Sequence, residues 1–273
     1  MNNNQNIQIF NNNEQINQEI NMKMYGYGNL QSFIPFNYTQ NPLEMIGKAN
    51  QCSIFQEYEL SKDLSCCEVY NCYNVIIYDP ISNQPIFLFK GKEETGCCTR
   101  KCCSNGIRPF RIKMKHIENM QSFMEKLSFE NYFFEMNRDC VCSCCCCGSE
   151  HITVSYSSNN TNFCSIEIPI RCERNFHCNI FDQSNTLKYT IFKENDCCFF
   201  YNKTEFDIFN GNDVNHNNKI GKMSKESFAY KFFEKDKRSL EITFPKDAST
   251  DDKMLIIMAG ILIEYEWYGE KEQ

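Results

Sequence analysis

Alternation of apolar and polar residues with a period of two dominates the chain from about Cys52 onward. Such alternation is typical of β-strands that bury one face. Turn-forming residues such as Asn, Asp, Ser and Pro separate the short alternating segments. The pattern predicts hairpins over residues 75–89, 152–168, 176–191 and 206–220. We therefore predict a mostly β fold, either an antiparallel sandwich or a barrel, and closure into a barrel would remove exposed strand edges.

The N-terminal residues fall outside this pattern. Residues 1–24 are mostly Asn and Gln, and such a tract cannot bury enough apolar surface to offset the entropy lost on ordering. We predict a disordered arm and linker over residues 1–40 and a folded domain over residues 41–273. Asn41 and the residues that follow it predict a short helix at the start of the domain. Residues 118–127 predict a short helix or a long loop.

A run of uncharged apolar residues occupies positions 254–263. We predict a helix over residues 251–268, with Ser249 as its N-cap and acidic residues in its first turn. A bilayer-spanning helix needs about 17–25 apolar residues, and Glu264 and Glu266 would be costly at bilayer depth. Burial within the protein is therefore favoured over membrane insertion. The residues assigned to this barrel-core or membrane helix are Leu255, Ile256, Ile257, Ala259, Ile261, Leu262 and Ile263.

The charge of the chain limits its partners. The net charge is −7 and the pI is near 5.3, and no block of Lys and Arg occurs, so no nucleic-acid partner is predicted. An acidic chain cannot be held on anionic lipid by its net charge alone. The N-terminus resembles no secretory signal, so we expect reduced thiols.

A run of cysteines at residues 140–147 carries the most unusual chemistry of this chain, which has 19 cysteines. Neighbouring cysteines rarely meet the geometry of a disulfide, so the run indicates thiols used for acylation or metal binding. Several acyl chains in one footprint give stable anchoring, because each buried CH₂ contributes about 0.8 kcal/mol. Acylation is the favoured interpretation, and an unmodified loop or a metal knuckle is the alternative. The candidate acylation sites are Cys142, Cys144, Cys145, Cys146 and Cys147.

A second cysteine cluster lies at residues 97–103. One cysteine from each of its two doublets gives the short spacing of a zinc knuckle, and Cys142 with Cys145 gives another. The alternative is that the doublets lie in strands and pack as small apolar side chains. The candidate zinc ligands are Cys97, Cys98, Cys102 and Cys103.

Acidic residues around the last predicted strand are candidates for a calcium site, because calcium prefers six to eight oxygen ligands. A solvated charged turn that partly caps the helix explains these residues at least equally well. The candidates are Asp236, Glu241, Asp247, Asp251 and Asp252. The 4 histidines have no spacing that suggests catalysis. No nucleophile or phosphate-binding motif occurs either, so a non-enzymatic role is predicted.

Five motifs, in order between about residues 45 and 270, together resemble the phospholipid scramblase family. Residues 97–110 resemble its C-C-x-R-x-C-C…R-P-F signature, and Arg138 with the cysteine run resembles its R-P-x-x-C stretch. Residues 220–225 resemble its I-G-K-I-x-K strand. Residues 244–247 resemble F-P-x-D, and residues 252–254 with the apolar helix resemble the C-terminal end of the family.

The resemblance implies a tubby-like closed antiparallel barrel of about twelve strands around the hydrophobic C-terminal helix. It also implies calcium-stimulated, ATP-independent, bidirectional movement of phospholipids between leaflets, with palmitate on the cysteine run. The implied calcium ligands are Asp236 and Asp247, with Glu241 as a partial replacement. Arg238 stands at an acidic position of the family and lowers the expected calcium affinity. The Pro-rich arm of many members is absent, so no WW or SH3 partner is predicted.

The function predicted from the sequence is therefore transbilayer lipid movement by a lipid-anchored protein. The alternative is a membrane-attached lipid-binding adaptor or regulatory module without scrambling activity. The expected cofactors are weakly bound calcium and covalent palmitate, with zinc if the cysteines form knuckles. The expected partner is a phospholipid membrane, and self-association is left open. We expect the bulk of the chain on the cytoplasmic side of the plasma membrane or an endomembrane, with a nuclear or cytosolic pool if it is unacylated.

Replacing Cys142 and Cys144–Cys147 with Ser is expected to release the protein from membranes, because the acyl chains that hold it would be lost. The measurement is the fraction of protein that sediments with membranes from cells. Replacement of the same number of cysteines at residues 66, 67, 172, 197 and 198 is the matched control. Unchanged sedimentation of the first variant would contradict the lipid anchor.

Overall fold

The computed structural model of the protein describes ten ranges of the chain, which are residues 41–60, 69–79, 85–95, 109–118, 132–139, 149–156, 162–169, 175–193, 203–226 and 239–265. Within them lie two α-helices, α1 (Pro42–Lys48) and α2 (Thr250–Ile263), and a 3-10 turn (His216–Asn218). The strands are β1 (Gln51–Leu60), β2 (Val69–Tyr78), β3 (Pro85–Glu93), β4 (Phe110–His116), β5 (Phe134–Arg138), β6 (Ser149–Tyr156), β7 (Asn162–Pro169), β8 (Phe176–Asp182), β9 (Leu187–Lys193), β10 (Lys203–Asn210), β11 (Gly221–Glu226) and β12 (Ser239–Thr243).

The twelve strands form a closed antiparallel barrel in which each strand pairs with the next along the chain. The seam is closed by β1 and β12, where Gln51 pairs with Thr243 and Phe55 with Ser239. The predicted hairpins are confirmed, since β2 pairs with β3, β6 with β7, β8 with β9 and β10 with β11. The closed barrel, rather than a sandwich, is the observed architecture.

The barrel has two ends, and successive strands begin alternately at one and at the other. We call the end where β1 begins the lower end and the end where β1 finishes the upper end. Helix α1 precedes β1 at the lower end, and α2 begins there after β12. Helix α2 runs upward through the barrel, because Tyr265 at its far end packs on Phe110, the first residue of β4, with ring centroids 4.6 Å apart.

Helix α2 fills the barrel. All its residues from Lys253 to Ile263 are buried, including every residue assigned from the sequence to the barrel-core or membrane helix. A helix that is apolar on all faces must be surrounded by apolar surface, and the inward residues of the strands provide it. Gly260 allows close contact with the seam strands, since a Cβ there would lie 2.7 Å from the Cδ1 atoms of Ile54 and Ile242.

The lower end of α2 is fixed by polar contacts. Ser249 and Asp252 form the capping box that satisfies the first amide groups of the helix, so the predicted N-cap is confirmed. The Lys253 ammonium donates hydrogen bonds to the carbonyl oxygens of Gly47 and Ala49, each at 2.8 Å. These bonds tie α2 to the last turn of α1 and cover this end of the core.

The predicted short helix at the start of the domain is α1. The Asn41 side chain accepts a hydrogen bond from the Leu43 amide at 3.0 Å, and Pro42 occupies the first turn. Met45 and Ile46 are buried beneath the barrel.

Three predicted segments of secondary structure or disorder lie wholly or partly outside the described residues. The predicted arm over residues 1–40 lies outside them, as do residues 119–127 of the predicted helix or long loop. Helix α2 begins at Thr250 and ends at Ile263, followed by a π-helical turn at residues 264–265, so the predicted end at residue 268 also lies outside. No helix in the described ranges is long and apolar enough to cross a bilayer.

Ala259→Asp is expected to abolish folding, because Ala259 is fully buried and the barrel interior offers a new carboxylate no solvent. Thr243→Asp, at an exposed position on β12, is the matched control and should change stability by less than about 1 kcal/mol. The measurement is urea unfolding followed by circular dichroism. A cooperatively folded Ala259→Asp protein of normal stability would show that α2 does not occupy the barrel.

Candidate functional site at the upper end of the barrel

The interior of the barrel changes from apolar to polar at its upper end. Five strands and the end of α2 direct polar side chains inward there. The inward polar residues are Gln56, Asn71, Glu93, Arg138, Lys225 and Glu264. We call this set the polar layer. Below this layer, in contrast, the interior is lined by apolar residues.

One half of the polar layer is a short hydrogen-bonded chain. Asn71 Nδ2 donates to Glu93 Oε2 at 2.6 Å, and Gln56 Nε2 donates to Asn71 Oδ1 at 3.3 Å. Glu93 is fully buried. A buried carboxylate is tolerated only with hydrogen-bond donors, so these amides are part of what makes Glu93 acceptable in the interior.

The other half is an ion pair. Lys225 Nζ lies 2.5 Å from Glu264 Oε2, and the side chains are 6% and 0% exposed. Removing two charges from water is costly, and the pair offsets that cost only while both partners remain. The pair fixes the C-terminal end of α2 to β11, just as Lys253 fixes the N-terminal end to α1.

Arg138 completes the layer through aromatic contacts. It is 2% exposed, and its guanidinium lies 4.7 Å from the Phe110 ring centroid and 5.6 Å from that of Tyr265. Cation–π contacts of a desolvated guanidinium contribute about 2 kcal/mol. Arg138 therefore links β4 and β5 to the end of α2, at the residue that precedes the cysteine run by two positions.

The candidate acylation sites and zinc ligands lie outside the described residues. The strands that flank them are described, and both segments are attached at the upper end. Residues 97–103 lie between the end of β3 and the start of β4, and residues 142–147 lie between the end of β5 and the start of β6. The topology therefore connects both cysteine clusters to the end of the barrel that carries the polar layer.

The calcium candidates are separated along β12. Asp236 lies outside the described residues, in the connection that enters β12 at the upper end. Glu241 lies on the outer face, where its carboxylate accepts hydrogen bonds from Ser53 Oγ at 2.6 Å and Ser239 Oγ at 2.5 Å. Asp247 is exposed beyond the lower end of the strand. The described residues contain no group of three or more ligands that could hold a metal ion.

The described cysteines are core residues. Cys52, Cys72, Cys164 and Cys178 are buried. Burial raises the pKa of the Cys52 and Cys164 thiols well above the usual range and raises the pKa of Cys178 to about 12. Because the thiolate is the reactive form, these thiols are poor nucleophiles and structural in role. Lipid or metal chemistry, where it occurs, therefore belongs to cysteines other than these four.

Sequence reasoning missed the polar layer. A signal was present, because the period of two that places Met223 inward also places Lys225 inward, and the period that places Phe134 and Met136 inward does the same for Arg138. Glu264 was considered only as an obstacle to membrane insertion, and its partner lies 39 residues away in sequence.

Glu264→Gln is expected to destabilise the fold by about 3–5 kcal/mol, since it leaves the Lys225 charge buried without the carboxylate. The double variant Lys225→Met/Glu264→Leu should recover most of that loss, because it removes both charges. Glu167→Gln, which breaks the exposed pair with His151, is the control and should cost less than about 1 kcal/mol. Urea unfolding measures all three, and equal losses at Glu264 and Glu167 would contradict a structural role for the buried pair.

Comparison with known proteins identifies the family. The family model described as Scramblase matches residues 31–270, which is nearly the whole chain. No curated protein and no solved structure matches the sequence. On the strength of the family match, and in agreement with the motifs in the sequence, this chain belongs to the Scramblase family.

Proposed function

We propose that this protein moves phospholipids between the two leaflets of a membrane, in both directions and without ATP. The observation that carries the proposal is the Scramblase family match over residues 31–270. Membership of this family implies contact with phospholipid membranes and a lipid-transport role rather than an enzymatic one.

Attachment to the membrane is assigned to acyl chains on Cys142 and Cys144–Cys147. The flanking strands β5 and β6 support this assignment, because they attach the cysteine run at the upper end of the barrel. Two or more acyl chains give stable anchoring where one is marginal. The anchor would then hold the upper end of the barrel close to the bilayer.

The lipid path is proposed to run outside the barrel. Interior residues of α2 such as Ile256, Met258 and Ala259 are fully buried, so the helix occupies the space through which a headgroup would have to pass. Contacts at both of its ends, at Lys253 and at Glu264, favour retention of the helix. The protein would therefore act on the adjacent bilayer by its outer surface, and not as a pore in its own interior.

We further propose that calcium stimulates this lipid movement. Asp236 and Asp247 match the family's acidic positions, and Arg238 opposes cation binding between them. Glu241 already accepts two hydroxyl hydrogen bonds. We therefore propose weak binding, with a dissociation constant of about 10⁻⁴–10⁻³ M or weaker, as in low-affinity calcium modules.

A second candidate function is a membrane-attached adaptor that binds lipid without moving it. The buried helix favours this candidate specifically, because an α2 that never leaves the barrel offers the bilayer no spanning segment. The two functions share the anchor and differ only in whether lipid crosses the membrane, which a transport assay measures directly.

The test is fluorescent-lipid scrambling in liposomes reconstituted with acylated full-length protein, with and without millimolar calcium. We expect calcium-dependent loss of leaflet asymmetry with the native chain. Asp236→Ala/Asp247→Ala should lose the calcium response, while Glu44→Ala/Asp213→Ala, which removes the same charge at other exposed sites, should retain it.

Three outcomes are informative. Calcium-dependent scrambling that only the first variant loses supports the proposal and assigns the calcium response to Asp236, Asp247 or both. Scrambling without a calcium response retains lipid transport and refutes calcium control. Absence of scrambling in an anchored, folded preparation refutes transport and leaves the adaptor function.

A further inference from the structure

Lysines face each other across the outer wall of the barrel between β3 and β4. Lys90 pairs directly with Lys115, and Lys92 pairs directly with Lys113. All four point outward, because the intervening Gly91 and Met114 face the core. Like charges at directly opposed positions destabilise a sheet. Two such pairs in succession concentrate positive charge on this part of the wall.

The neighbouring strands add few carboxylates to this wall. We call the outward cations of β3 and β4 the basic strip, which comprises Lys90, Lys92, Arg111, Lys113 and Lys115. The outward positions of β2 carry no charged residue, and those of β5 carry one carboxylate, Glu135, which lies 3.4 Å from Arg111. Glu94, just past β3, lies 3.0 Å from Lys113, and Glu118 and Asp139 are exposed just past β4 and β5. Cations therefore outnumber carboxylates on the four described strands.

The rest of the described wall does not share this character. On β10, Asp207 lies opposite Lys222 and forms an ion pair with Lys219, and on β6 His151 faces Glu167 of β7. Since the whole chain carries −7 charge, the strip is a local concentration of positive charge on an acidic protein. The net charge of the chain therefore gives no sign of these clustered lysines, which are apparent only from the register of the strands.

We propose that the basic strip binds the surface of an anionic phospholipid membrane. The inference rests on the proposed membrane attachment of this protein, and it adds which wall of the barrel faces the bilayer. Charge complementarity supports it, because each Lys or Arg held near an anionic leaflet contributes about 1 kcal/mol. An acyl anchor and a basic patch together give firmer attachment than either alone.

The position of the strip fits this role. Arg111 at its upper end pairs with Asn137 on β5 and donates a hydrogen bond to it at 3.0 Å. Cys142, the first candidate acylation site, follows Asn137 by five residues in sequence, so the cysteine run is attached to the wall next to the upper end of the strip. The strip extends down β4 from Arg111 to Lys115, about 14 Å at the rise of an antiparallel strand. Acyl chains and strip can therefore engage one bilayer, which would lie along the wall formed by β3–β5.

The solvent exposure of the lysine side chains is also compatible with contact with lipid headgroups. Lys90, Lys92 and Lys115 are half-buried and Arg111 is 53% exposed. This is the exposure expected of long side chains whose apolar stems lie along a sheet. Attraction between exposed charges falls off within about 8 Å at physiological salt, so the strip acts only when the wall lies against the membrane.

The test uses full-length protein made in bacteria, which is not palmitoylated, so that binding reports the strip alone. Co-sedimentation is measured with phosphatidylcholine vesicles that contain or lack phosphatidylserine, at low and physiological salt. Lys90→Gln/Lys92→Gln/Lys115→Gln removes three charges from the strip. The matched control, Lys48→Gln/Lys188→Gln/Lys222→Gln, removes three charges elsewhere. Thermal unfolding by circular dichroism checks that both variants fold.

We expect the native chain to bind the anionic vesicles, to prefer them to neutral ones and to release them as salt rises. The strip variant should bind them at least about tenfold more weakly, and the control should bind within about twofold of the native chain. Equal binding by the native chain and the strip variant would overturn the inference. So would an equal loss in the control, or tighter binding of duplex DNA than of the anionic vesicles, which would make the strip a nucleic-acid site.

The same variants separate this inference from the proposed function. If the acylated protein scrambles lipids but vesicle binding by the unacylated protein does not depend on the lysines, the basic strip is refuted and lipid transport is supported. Vesicle binding that does depend on the lysines, in a protein that does not scramble, supports the strip and refutes transport.

Discussion

The packing of α2 inside the barrel is the interaction on which the rest of the structure depends. Twelve strands enclose more space than their own side chains would fill, and α2 has no polar face that could meet water. The helix fills the interior of the barrel, and the inward residues of the strands cover the apolar helix. The capping box and Lys253 at one end, and Glu264 and Lys225 at the other, complete an arrangement whose energy comes mainly from apolar burial along the helix.

The two ends of the barrel differ in the groups that close them. The lower end is closed by α1 and by backbone hydrogen bonds to Lys253, which is an ordinary way to finish a core. The upper end carries buried charges and the connections that contain both cysteine clusters. The basic strip reaches this end through Arg111. The features that we propose engage a membrane are therefore concentrated at one end and along one wall of the barrel.

Much of the fold could be predicted from sequence, for physical reasons that particular residues illustrate. Period-two alternation and turn residues determine hairpins locally, so β6 with β7 and β8 with β9 were predictable. Ser249 and the apolar run after it defined the start of α2. The seam between β1 and β12 and the Lys225–Glu264 pair were not predictable, because they join residues distant in sequence. The basic strip was missed because it exists only once the register of β3 and β4 sets Lys90 against Lys115 and Lys92 against Lys113.

The seam has a consequence for how the protein is made. Ser53 of β1 hydrogen-bonds to Glu241 of β12, 188 residues later. At about 5–20 residues per second of synthesis, β1 waits roughly 10–40 s for its second neighbour. During that time the nascent sheet has an open edge, and its concave face lacks the helix that will fill it. Closure of this barrel therefore requires that β12 and α2 have been synthesised, and a chain that stops before β12 would expose both the open edge and the unfilled interior.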